Sequence, residues 1–283
     1  MSQHADDAEV EAIELDLFVT AMQRRHGYDF SGYARASLLR RVRQLARDHG
    51  DGAIGALTRR LLREPALLPH LLAGLSVPAS DMFRDPSVFR ALREQALPLL
   101  AAFPHITIWQ AGCARGEEVY SLAILLEEAG LYERCRIFAT DLSGDALDHA
   151  REGIYPLDAA AQWSRNYLAA GGTRSLADYC QARYGLIKLD EHLRRHVTFA
   201  QHNLAGDGVF GEMQLVLCRN VLIYFTTPLQ QRCLALFRAA LVRGGVLCLG
   251  LREQPGAAGL AAFTPLDAGL RLYRRNPDLG PAP

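Results

Sequence analysis

Trp109-Gln-Ala-Gly112-Cys-Ala-Arg-Gly116-Glu-Glu118-Val-Tyr-Ser121 follows the β-branched run Ile106-Thr-Ile108 and leads into the apolar stretch Leu122 to Leu126. The order reads as strand, glycine-bearing turn, helix. Two glycines let a backbone turn tightly and approach a ligand without a Cβ clash. The helix start offers unpaired N–H groups and a positive dipole end to a polar ligand. Further on, Arg136-Ile-Phe-Ala-Thr140 reads as a second strand ending in Asp141. An acid at the end of a second strand is where a nucleotide-type ligand places its ribose hydroxyls. The pairing points to a nucleoside cofactor. The dinucleotide fingerprint GxGxxG is not matched and no GK[ST] phosphate cradle follows in this turn; lysine is scarce, so a phosphate-rich ligand is disfavoured.

Around this centre, strand and helix patterns alternate from residue 86 onward. The spacing predicts a helix over 86–101, a strand over 106–110 and a helix over 118–128. A strand over 136–140 and a helix over 143–152 come next. The interval 155–195 is polar with little periodicity and reads as an inserted subdomain with short strands around 179–189. Strands are expected over 197–201, 215–218, 246–250 and 270–274, and a helix over 228–241. Alternation of this kind argues for a doubly wound, mostly parallel sheet. Residues 9–22, 37–48, 53–63 and 67–75 carry helical patterns punctuated by Gly27, Gly50, Gly52 and Pro65. The fold class expected is α/β: an all-helical N-terminal domain (1–76), then a Rossmann-like domain (77–277) with the small β insertion, and a disordered tail (278–283).

Composition narrows the rest. Formal net charge is zero over 283 residues, so bulk electrostatics name no partner. No apolar run is long enough to span a bilayer, and the N-terminus lacks the basic-then-apolar pattern of a signal peptide. The six cysteines form no CxxC pair and read as reduced core residues of a cytoplasmic protein, with no metal site. Charge is uneven, however. Ten arginines fall between Arg24 and Arg63, opposed by Asp29, Asp48 and Asp51. Arg40, Arg43 and Arg47 share one helical face. That face reads either as a solvated surface or as a dock for an acidic partner, to which the arginine fork is suited. Nucleic acid is disfavoured, because neither lysine nor interleaved aromatics accompany the arginines.

Ligands on such sheets bind beyond the carboxyl ends of the strands. The glycine turn, Asp141, His202-Asn203-Leu204 and Cys218-Arg219-Asn220-Val-Leu-Ile-Tyr224-Phe225 should therefore converge. An Arg-Asn pair ending an apolar strand is costly to bury unless paired. Together with Ser80-Asp-Met-Phe-Arg84-Asp85, Ala150-Arg-Glu-Gly-Ile-Tyr155 and Gly244-Gly245, these segments resemble the CheR family of chemotaxis methyltransferases, in family order over nearly the whole chain. The resemblance implies transfer of a methyl group from S-adenosylmethionine to glutamate side chains of chemoreceptors, leaving S-adenosylhomocysteine. It implies that Ser80 and Arg84 reach the cofactor from the interdomain segment. Gly112 belongs to the turn, and Glu118 would hold the methionyl end or ribose side. Asp141 would take the ribose hydroxyls, and Asn203 and Leu204 would flank the adenine. Arg219 and Asn220 would floor the site near the sulfonium, with Tyr224 close by. Arg84 would orient the substrate carboxylate, and Arg40, Arg43 and Arg47 would face the cytoplasmic receptor helices, the enzyme acting as a monomer. Two departures stand out. Many members have Asn where this chain has Pro78. The stretch Ala169-Ala-Gly171-Gly172-Thr173 does not match the loop with which some members grip a receptor C-terminal peptide, so tether-independent docking is expected. The rival readings are a non-catalytic S-adenosylmethionine-binding regulatory module and a small-molecule methyltransferase.

Overall fold

The computed structural model describes residues 2–76 and 80–277. The expectations attached to Pro78 and to the tail 278–283 lie outside these residues. Four helices come first: α1 (Ser2–His26), α2 (Arg35–Asp48), α3 (Ile54–Arg63) and α4 (Leu68–Leu75). They close around Leu15, Phe18, Met22, Val42, Leu57, Leu61 and Leu71, all essentially without solvent contact. Leu38, Val42 and Leu45 recur at helical spacing and give α2 its inward stripe.

A broken helix follows. α5 (Pro86–Ala91) runs through a π-helical segment, Leu92–Ala96, into α6 (Leu97–Leu100). The sequence predicts one uninterrupted helix here. Pro98 has no N–H and its ring presses on the turn before it, and the π segment just before it absorbs the misfit. The remaining order is β1 (Ile106–Ala111), α7 (Glu117–Glu128), β2 (Cys135–Asp141), α8 (Gly144–Glu152), β3 (Ile154–Pro156), α9 (Ala160–Ala169), β4 (Cys180–Arg183), β5 (Leu186–Leu189), β6 (Val197–Gln201), β7 (Met213–Cys218), α10 (Thr227–Ala240), β8 (Leu241–Leu249), α11 (Gly256–Leu260), β9 (Phe263–Asp267) and β10 (Leu272–Arg275).

The main sheet has the order β6-β2-β1-β7-β8-β10-β9. The first five strands are parallel, in register Ile106↔Cys135 between β1 and β2 and Ile137↔Val197 between β2 and β6. β10 is antiparallel to both neighbours. The expected Rossmann-like sheet is present, with an antiparallel edge. The insertion is a three-stranded antiparallel sheet, β3-β5-β4, accompanied by α9, a helix that the sequence reading left out. α9 exists because Trp163, Asn166 and Tyr167, at i, i+3 and i+4, turn one face inward. Strand β9 was also missed. Five of the six cysteines are buried and none is bridged.

The two halves are stitched together beside the strand ends. Ala34 N donates to Tyr224 O at 2.8 Å, and Thr226 N donates to Gly32 O at 2.8 Å. Tyr33 meets Phe225 edge-on with ring centroids 4.9 Å apart. The loop following β7 is thereby fixed to the start of α2.

Candidate active site

A cleft of about 1030 Å³, continuous with solvent, opens where the carboxyl ends of β1, β2, β6 and β7 meet α2 and the segment before α5. Ser80, Arg84, Gly112, Glu118 and Asp141 line it, as do Asn203, Leu204, Arg219, Asn220 and Tyr224. The residues singled out for cofactor and chemistry thus share one cavity. Arg40, Arg43 and Arg47 do not line it. They are exposed on the outer side of α2, where Arg43 forks onto Glu11 and Arg47 donates to Gln44.

The glycine turn makes the floor. Gly112 sits at φ +74°, and a Cβ there would lie 2.4 Å from Val221 Cγ2. Gly112 N and Cys113 N both donate to Thr140 O, at 2.7 and 2.9 Å, tying the turn to β2. Asp141 closes that strand, and its Oδ2 accepts from Ala114 N and its Oδ1 from Ser143 N, at 2.9 and 3.0 Å. Burial pushes its carboxyl above the ordinary range, and these N–H donors oppose that shift. A carboxylate has about four acceptor sites, so capacity remains for a hydroxyl.

Arg219 is the best-shielded charge of the site. Its side chain is 0% exposed. Nη1 pairs with Glu118, and Nη2 donates to Asp85 Oδ2 at 2.8 Å and to Arg84 O at 2.9 Å. Glu118 also accepts from Gln110 Nε2 at 3.1 Å. Burial raises the Glu118 carboxyl, and Arg219, with a smaller contribution from Arg84, pulls it back. The sequence reading placed Arg219 and Glu118 against the cofactor. Both do line the cleft, but their charges are engaged with each other, which makes them a brace. The brace also holds the Arg84 carbonyl.

Two contributors, Arg41 and Glu253, went unnoticed in the sequence, while His202 lies in the cleft with the segment expected to converge there. Arg41 reaches the cleft from the inner side of α2, its guanidinium 4.6 Å from the Tyr224 ring centroid and bonded to Leu75 O. Glu253 is buried and accepts from Gly250 N, Asn220 N and Ile223 N at 2.6, 3.0 and 3.3 Å. It thereby holds Asn220 at φ +60°. His202 donates from Nε2 to Gly208 O at 3.2 Å, so in the neutral ring Nδ1 is an acceptor.

The cleft fits an adenosine-type cofactor with an amino-acid end. Gln110 Oε1 and His202 Nδ1 are buried, line the cleft and have no protein partner. Burying such acceptors unsatisfied costs about 1–3 kcal/mol each, which a ligand's amino groups would recover. Asp141 presents oxygens suited to a diol, and Gly112, lacking a Cβ, lets Val221 close against the turn in the wall of the cleft. Among the described residues no cluster could hold a metal ion. Among the described residues no helix is long and apolar enough to cross a membrane.

Comparison with known proteins agrees with this geometry. The CheR methyltransferase SAM-binding domain matches residues 79–259, and the CheR methyltransferase all-alpha domain matches residues 13–76. A Pseudomonas putida protein named as the methyltransferase Cher3 is 44% identical over 265 residues, which are 93% of this chain and 97% of that protein. Chemotaxis protein methyltransferase 2 of Pseudomonas aeruginosa is 33% identical over 212 residues, 72% of each chain. The chemotaxis protein methyltransferase of Listeria monocytogenes is 29% identical over 256 residues, 87% of this chain and 93% of that one. With an all-helical first domain, a Rossmann-like second domain and a cleft shaped for S-adenosylmethionine, this chain belongs to the CheR family of methyltransferases.

Proposed function

We propose that this chain methylates glutamate side chains on the cytoplasmic helices of chemoreceptors, acting as a monomer in the cytoplasm. The observation that carries the reading is the double use of α2. Its outer side carries Arg40, Arg43 and Arg47, and its inner side delivers Arg41 to Tyr224 at the mouth of the cofactor cleft. The reading needs an acidic helix that meets the outer arginines while one of its carboxylates turns into that mouth.

The chemistry asks little of the protein. S-adenosylmethionine, when bound, supplies an electrophilic methyl group on a positively charged sulfur. A glutamate carboxylate is already ionised at neutral pH, so no general base is required. The chain's task is positioning and exclusion of water. Asp141 and the Gly112 turn fix the nucleoside side of the cleft, and Gln110 accepts from an amino group. Ser80 meets Glu117 where the interdomain segment enters the cleft. Arg84 orients the incoming carboxylate through one oxygen, leaving the other to attack. Tyr224, pinned by Arg41 and by the backbone bond to Ala34, shapes the opening.

The test uses methyl-labelled S-adenosylmethionine with receptor-containing membranes from the source cell. Label should enter receptor protein and be released as methanol by mild alkali, the behaviour of a glutamyl methyl ester. Arg84→Ala should cut turnover about 100-fold or more, while cofactor affinity, read by calorimetry, changes less than about threefold. Equal losses in both would refute the role given to Arg84. Cofactor binding without transfer to any receptor would refute the substrate and favour a binding module.

A further inference from the structure

At the opposite, amino-terminal end of the same strands lies a second cleft, of about 1170 Å³. Its existence follows from how the chain leaves β6. To reach β7, residues 202–212 must pass β2 and β1, three strand spacings of about 4.8 Å each, and return to the start of the sheet. They do so without forming a helix. Parallel crossovers ordinarily cover the sheet with one. Here the link lays Phe210 against Trp109 and Phe138, with ring centroids 5.0 and 5.5 Å apart, and covers the carboxyl half of that face. The amino half, toward Thr107, Arg136 and Thr198, stays open.

What lies there is cationic. In the parallel register Arg136 stands beside Thr107 of β1, and one residue on, Ile137 stands beside Val197, so His196 neighbours Arg136 on the other side. Arg134 and Arg195 complete the basic wall, with His105 at its rim. Glu133 is the one acid among the lining residues, and Arg195 and His196 both lean on it. Arg134 spends its donors on Ala101 O and Phe103 O, which fixes its position and leaves its charge in place. Three arginines against one glutamate give a formal charge of +2 at this wall. Burial and Arg195 push the His196 imidazole below its ordinary range, so it serves as a neutral hydrogen-bonding group. Threonine hydroxyls and guanidinium forks on a concave floor suit a polyanion with several oxygens better than a single carboxylate.

We infer that the amino-terminal edge of β1, β2 and β6 is a second binding site, for a small phosphate-bearing ligand of two or more negative charges, remote from the methyl-transfer cleft. The two clefts share strands β1 and β2, Asp141 ending the strand that Cys135 and Arg136 begin. An anion bound at one end of β2 therefore rests on the strand that carries the cofactor acid at the other.

The test titrates the full chain, saturated with S-adenosylhomocysteine to fill the first cleft, with inorganic pyrophosphate by calorimetry at fixed ionic strength. Saturable binding at one site per chain is expected, weakened at least tenfold by Arg136→Gln. Arg183→Gln, which removes an equal charge from exposed β4, should bind like the parent. Unchanged S-adenosylhomocysteine affinity in both variants shows that the fold is intact. No saturable binding, or equal loss in the Arg136 and Arg183 variants, overturns the site. Tighter binding of a poly-glutamate peptide than of pyrophosphate overturns the ligand class, in favour of an acidic protein segment.

Discussion

Removing Arg219 while keeping its shape is the sharpest probe of the brace beneath the cleft. Arg219→Met fills much of the same volume and takes away the charge. Glu118, 11% exposed at its side chain and buried at the foot of α7, then keeps one donor, Gln110 Nε2. Asp85 is 30% exposed and can turn to water. Leaving one partner of a buried pair uncompensated costs about 3–5 kcal/mol. At about 2–4 °C per kcal/mol, the melting temperature should fall by about 6–20 °C.

The pH dependence separates this cause from loss of packing. The Glu118 carboxyl already sits above the ordinary carboxylate range because of burial, and Arg219 is its chief counterweight. In the variant it rises further. A carboxyl raised in the folded state favours the protonated form, so the penalty is absent below its unfolded value, near 4.5, and grows as pH rises. The gap in Tm between parent and variant should therefore be widest near pH 8 and narrow toward pH 5. Arg219→Met combined with Glu118→Gln should recover much of the loss. Thermal unfolding of the three proteins across that range decides it. A gap equal at both pH values, or a double variant no better than the single, would refute the electrostatic account.

Other expectations concern residues in and behind the walls of the same cleft. Burial pushes the Glu117 carboxyl up to about 7, so its charged form costs stability that appears above pH 4.5 and is complete above 7. Glu117→Gln should raise stability at pH 8 by up to about 3 kcal/mol, and by progressively less toward pH 5, as seen in paired denaturation curves. Gly112→Ala combines a left-handed φ with a 2.4 Å approach to Val221, and should weaken S-adenosylhomocysteine binding at least tenfold by calorimetry. Glu253→Gln keeps an acceptor oxygen for Gly250 N and Asn220 N but turns an NH₂ group toward Ile223 N. One such lost bond, at about 1.4 kcal/mol, should raise the cofactor Kd about tenfold without changing the label's alkali lability.

Local pattern made the cofactor side of the molecule readable. The run from Ile106 to Leu126 changes from β-branched to helical spacing across two glycines, and the strand ending in Asp141 is short, apolar and sharply bounded. Features set by partners far along the chain were not readable. α9 has its inward residues at helical spacing, yet Gln162 before them and Ser164 and Arg165 between them make the segment look like polar loop. β9 contains Pro265, which ordinarily argues against a strand, and it survives because β9 is the edge of the sheet. Arg41 did carry a signal. It stands three residues after Leu38 and four before Leu45, on the apolar stripe of α2, where a charge needs a partner. That partner, the Tyr224 ring, belongs to a loop far along the chain. Glu253 gave no local sign at all, since its role is defined by the three N–H groups that converge on it.

Under the proposed function, the same reasoning explains how an arginine-rich site could serve a carboxylate nucleophile. An arginine bound tightly through both of its forks would lower the reactivity of the very oxygen that must attack. Arg219 avoids this because Glu118 and Asp85 consume its charge, so its contribution to the cleft is to fix the backbone of Arg84. Arg41 is turned onto the Tyr224 face and the Leu75 carbonyl. Arg84 is the arginine to which the proposed function assigns the incoming acid. Its own pull is tempered by the neighbouring Glu118 carboxylate, to which it is electrostatically coupled. Under the proposed chemistry, the brace fixes where a carboxylate is held, and the acids within it limit how firmly.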